Sequence, residues 1–113
     1  MTERLPSHVE AASLIRRAQS EGGFAAVLRK GDPDRGAITL IVRERGELRG
    51  FLERELGRDF TYNWSFKRLD APSEGDSVAD LVARKERFDP DSWLIELDIA
   101  DPERFIAETT RLG

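Results

Sequence analysis

Four carboxylates in two short turns, Asp32-Pro33-Asp34 and Asp89-Pro90-Asp91, are the first groups in this 113-residue chain that could do chemistry. Hard divalent cations take six or more oxygen ligands, and two such turns brought together would supply several. Each turn is also what chain reversal and helix termination ordinarily use, because aspartate bonds nearby amides and proline presets φ. Neither has the longer spacing of a calcium-binding helix–loop–helix, so the expectation is two turns and no metal or cofactor site. His8 is the single histidine and cysteine is absent. That removes disulfides, cysteine nucleophiles and zinc sites built on several such ligands. Glu53 and Glu55 could form an acid pair in a cleft, but two solvated strand residues account for them more simply. Neither common phosphate-cradling glycine loop occurs. No catalytic residue is assigned.

A second candidate is the stretch Phe60-Thr61-Tyr62-Asn63-Trp64-Ser65-Phe66. Its rings fall on every second residue, so a strand would send all four to one face of a sheet. Left in water they would expose on the order of 600 Å², at the upper limit for a monomer's largest apolar patch. Buried, each contributes roughly 2 kcal/mol, a sum comparable to the whole net stability of a small domain. The core is therefore the favoured destination, beneath helices. The alternative is a stacking platform for single-stranded nucleic acid, with Tyr62, Trp64, Lys67 and Arg68 as the contact residues.

The elements that must carry these groups can be read in order. Ser7-His8-Val9-Glu10 has the form of a capping box opening a helix over about 8–21, whose stripe is Ala11, Leu14, Ile15 and Ala18. Gly22-Gly23 ends it. Strands are expected at 24–30 and 37–43, and the dense turn chemistry of 31–36 suggests that they form a hairpin. A third strand over 48–55 contains Gly50, which signals a bulge or an edge. The aromatic strand is the fourth, so four consecutive antiparallel strands are expected. After a loop over 70–75, Asp76 or Ser77 can cap a second helix with Val78, Leu81, Val82 and Phe88 inward. Trp93, Ile95, Leu97 and Ile99 alternate with Leu94, Glu96 and Asp98 as a half-buried strand. Asp101-Pro102-Glu103 starts a last helix that buries Phe105, Ile106, Thr109 and Leu112. The order α-β-β-β-β-α-β-α implies one α+β domain over residues 1–113, a mainly antiparallel sheet of about five strands packed against helices on one face. The place of the Trp93 strand in the sheet stays open.

Two blocks resemble a known family. Gly22 through Ala37 (GGFAAVLRKGDPDRGA) and Arg87-Phe88-Asp89-Pro90-Asp91-Ser92-Trp93 are similar, in content and order, to two signatures of a family of small bacterial domains of unknown function. The resemblance implies a compact bacterial single-domain protein and carries no activity or site residue with it. A fainter similarity, Pro90-Asp91 followed by Glu96-Leu97-Asp98, is to restriction-type nuclease cores. It fails because Asp98 stands where that pattern needs the lysine that stabilises phosphate charge.

Composition narrows the function classes. Charged residues make up 35% of the chain and the formal net charge is −4, as expected of a soluble surface. No apolar run approaches the roughly 20 residues that span a bilayer, and the opening Met1-Thr2-Glu3-Arg4-Leu5-Pro6 lacks a signal-like apolar region. A cytoplasmic setting with no membrane partner is the expectation. Residues 1–69 carry a net +3 and residues 70–113 a net −7. That asymmetry suits contact between oppositely charged protein faces, self-association to a homodimer included. It is only mildly favourable to nucleic acid. The expected function is a non-enzymatic protein-binding or scaffold module, with a nucleic-acid-binding module as the alternative.

Overall fold

The computed structural model describes residues 5–56, 58–59, 62–69 and 78–112. Its elements are α1 (Ser7–Ser20), β1 (Phe24–Arg29), β2 (Ile38–Glu44), β3 (Glu47–Leu56), β4 (Tyr62–Arg68), α2 (Val78–Phe88), β5 (Trp93–Asp98) and α3 (Pro102–Leu112). The expected element order is the observed one, in a five-stranded sheet of order β1-β5-β2-β3-β4.

That strand order corrects the expected hairpin. β1 does not pair with β2; β5 lies between them, antiparallel to β1 and parallel to β2. The physical reason lies in the strands themselves. β5 is buried along nearly its whole length, through Trp93, Leu94, Ile95 and Leu97, and only an interior position hides a strand on both faces. β1 has no buried residue and takes the edge. The consecutive antiparallel run is therefore β2-β3-β4 alone. Arg45 and Gly46 close its first hairpin with φ of 51° and 82°, the left-handed pair that a tight two-residue turn requires. Gly50 does mark a bulge, where the β2–β3 register shifts after Val42, but β3 is interior rather than an edge.

Register sorts the side chains into two faces. Leu40, Leu52 and Ile95 form one row, and with Val42, Trp64, Trp93 and Leu97 they pack against Ala11, Leu14 and Ala18 of α1 and Phe105 of α3. Arg17 ties these helices together: its guanidinium lies 3.8 Å from the Phe105 ring centroid and donates to Phe105 O at 3.0 Å. Ile41 and Phe51 face the other way and pack with Leu81 of α2. Helices thus cover both faces, not one. On α2, Leu81 is buried as expected, but Phe88 is 75% exposed, at the end of the helix where no stripe continues. The caps at Asp76 and Ser77, the loop over 70–75 and the side chain of Leu112 lie outside the described residues. Phe105 and Thr109 are buried as expected.

The start of α1 is also corrected. Ser7 is the first helical residue, Pro6 holds the cap position, and no side chain caps the helix. The amides of Ser7 and His8 donate instead to Asp34 O at 3.2 Å and Pro33 O at 2.8 Å. Of the two amides a capping box would take, that of Ser7 is thus satisfied by the β1–β2 loop, and that of Glu10 donates to Pro6 O at 3.0 Å. Ser7 Oγ donates to Gly36 O at 2.6 Å, and Glu10 is engaged by Arg54.

Candidate functional site

The two Asp-Pro-Asp turns do meet, but through their backbones. Asp32 N donates to Asp91 O at 2.9 Å, and Trp93 Nε1 donates to Asp32 O at 2.8 Å. Arg29 donates to Pro90 O at 2.8 Å. The approach is close enough that a Cβ at Gly31 or Gly36 would stand 2.2 or 2.3 Å from Asp91 O. Only glycine fits there. The Asp32 carboxylate accepts from the amides of Asp34 and Arg35, each at 2.9 Å, and these bonds hold its pKa below the ordinary carboxylate value. Among the described residues no three of His, Asp and Glu gather as a cation site. The corner binds the N-terminus of α1, the β1–β2 loop and the entry to β5 into one knot.

Three further acids considered for chemistry, Glu53, Glu96 and Asp98, have structural partners. Glu53 lies 3.6 Å from Lys85 Nζ, Glu96 accepts from Arg43 Nε at 2.8 Å, and Asp98 accepts from the Gly46 amide at 2.9 Å. His8 Nδ1 lies 2.9 Å from Pro33 O. The side chain of Glu55 lies outside the described residues.

Of the aromatic strand, Phe60 and the side chain of Tyr62 lie outside the described residues. Trp64 is 8% exposed and Phe66 is partly buried against the same core. The Trp64 ring is roofed by the Arg54 guanidinium, 4.7 Å from its centroid, and Glu10 of α1 grips both terminal nitrogens of Arg54. Strand pairing sets Lys67 opposite Phe51 and Arg68 opposite Gly50, so these neighbours project to opposite faces. Arg68 pairs with Glu103 at 2.8 Å. Trp64 and Arg68 therefore share one face of β4 and Lys67 lies on the other. A cavity of about 300 Å³ near Arg68 is rimmed by Arg49 and Glu44 as well as Arg68 and Glu103, and both pairs are already bonded to each other.

Sequence reasoning passed over β1. It is an edge strand, with β5 on one side and no described strand on the other. Half of its backbone donors and acceptors point away from β5, the arrangement that templates another strand. Phe24, Val27 and Leu28 are 62%, 45% and 44% exposed. No edge signal was there to read: apart from its terminal Arg29, FAAVLR lacks the charge or Pro that usually blunts an edge, so it resembles an interior strand.

A profile of the family described as protein of unknown function, DUF1491, matches residues 5–107. The crystal structure of a DUF1491 family protein from Caulobacter crescentus CB15 is 33% identical with a TM-score of 0.68, over 90% of this chain and 94% of that one. An NMR structure of a DUF1491 family protein from the same organism is 30% identical with a TM-score of 0.75, over 92% and 94%. The solution structure of protein Atu0922 from A. tumefaciens is 31% identical with a TM-score of 0.67, over 85% and 86%. No curated protein matches the chain. No helix among the described residues is long and apolar enough to cross a membrane.

Proposed function

The chain belongs to the DUF1491 family, and we propose that it is a non-enzymatic protein-binding or scaffold module that docks an extended protein segment along the outer edge of β1. One observation carries the reading: an edge strand whose apolar side chains Phe24, Val27 and Leu28 remain in water along the side that no described strand pairs. Glu10, Glu53 and Glu96 are engaged in ion pairs and Asp32 and Asp98 in turns, which favours a binding role over a catalytic one. A bacterial cytoplasmic setting forms part of the proposal, in keeping with a cysteine-free chain and bacterial relatives.

The experiment is a pull-down from native lysate with wild type and Val27→Lys, each with and without nuclease. Proteins that survive nuclease and are lost with Val27→Lys support the reading. Identical recovery by both baits would refute it. Material that vanishes on nuclease treatment would favour the nucleic-acid alternative, which keeps Lys67 and Arg68 as exposed cations on β4 and predicts binding that weakens steeply with salt.

A further inference from the structure

We infer that the cavity between α3 and the β2–β3–β4 run binds one small zwitterion, an α-amino acid with an apolar side chain. This site is separate from the β1 edge and stands or falls without it. The cavity has a volume of about 300 Å³, at the lower end of the range for small-molecule pockets. Its apolar lining is Phe66, Leu69, Pro102 and Ile106, and Phe66 and Ile106 are half-buried against the core. Its charged lining is two pairs, Arg49 with Glu44 and Arg68 with Glu103. The β2–β3 bulge is what brings the two arginines to one face. Val42 pairs with Gly50 and Arg43 with Leu48, so Arg49 is the extra residue. Leu48 and Phe51 both pack in the cluster around Leu81, although residues three apart in a regular strand face opposite ways. Arg49 and Gly50, between them, both turn to the α3 side. Gly50 lies opposite Arg68, which reaches Glu103 on that side.

Charge fixes the ligand class. Two guanidinium groups stand on neighbouring strands of one face, and like charges so placed repel; an anion received by both relieves that repulsion. The four lining charges sum to zero, however, so a simple anion meets two carboxylates as well as two cations. A zwitterion satisfies both signs. Its carboxylate accepts from Arg49 and Arg68, whose planar groups carry five N–H donors each, and its ammonium donates to Glu103. Its side chain lies on Phe66 and Ile106. The existing pairs do not close the site. Arg68 and Glu103 are 60% and 77% exposed, and an ion pair in water contributes little, so its members exchange readily for a ligand's charged groups.

The test is titration of L-phenylalanine and L-leucine into the full chain, read by calorimetry and by backbone amide shifts. The expected result is saturable binding with a Kd of roughly 0.1–1 mM, and shifts centred on Arg49, Arg68 and Ile106. Arg68→Ala weakens binding at least about tenfold, while thermal unfolding shows the variant still folded. Glu103→Gln weakens phenylalanine binding but not that of phenylpropanoate, which lacks the ammonium; a merely structural role for Glu103 would move both alike. No binding of either amino acid at about 10 mM overturns the inference, as does binding that Arg68→Ala leaves unchanged. Phenylpropanoate bound as tightly as phenylalanine overturns it too, because the ammonium would then have no partner in the site.

Discussion

The two edges of the sheet are built on different terms. β4 is held from within: Trp64 lies under Arg54 and Glu10, Phe66 packs on the core, and Arg68 reaches Glu103 of α3. Its rim carries charge, the usual protection against stray pairing. β1 has the reverse character. Of its residues Ala25 packs on the core, and Phe24, Val27 and Leu28 stand in solvent. An edge that the fold needs is distinguished from an edge that the fold leaves open.

The contrast can be broken most forcefully at Trp64. Trp64→Ala should cost about 3–5 kcal/mol, the range for emptying a core aromatic site, as read by chemical denaturation. A loss below 1 kcal/mol would mean β4 is no better anchored than β1. Glu10→Gln should cost about 3 kcal/mol, because it strands the Arg54 charge in a mostly buried site. Arg68→Ala removes an exposed pair and should cost at most about 1 kcal/mol. On the other edge, Phe24→Ser should change monomer stability by less than about 0.5 kcal/mol, and its effect should appear in association instead.

The smallest effect sharpens the comparison at the corner where β1 leaves the sheet. The folded Asp32 carboxyl has a lowered pKa because its charged form accepts two amide bonds. The unfolded chain then binds more protons at acid pH, so this contribution is present above the ordinary carboxylate pKa and lost as pH falls through the folded value. Asp32→Asn, which keeps an acceptor oxygen without titrating, should flatten that part of the stability–pH curve. Thermal melts from pH 3 to 6 would reveal it; an unchanged acid slope would assign the effect to other carboxylates.

Several elements were legible in the chain because their signals are local. The helix stripe of Ala11, Leu14 and Ala18, the proline start of α3 and the Gly50 bulge each follow from spacing or from a residue's φ preference. The Ser7 misreading shows the limit. Ser-x-x-Glu suits a capping box, and it was overridden when the distant Asp34 carbonyl took the Ser7 amide and Pro6 O took that of Glu10. Phe88 shows another: helical spacing cannot tell which end of a stripe outruns the surface beneath it. The open edge was missed because an apolar strand looks alike at the centre and at the margin of a sheet.

By itself the sequence determined the element types and their order, since periodicity, turn residues and backbone preferences act over a few residues. Only the tertiary structure decided which strands are neighbours. The turn between β1 and β2 permits a hairpin, but burying both faces of β5 stabilises more than a short connection saves, and that term depends on residues about seventy positions apart. The same decision, by placing β5 inside, put β1 outside and created the surface on which the proposed function depends.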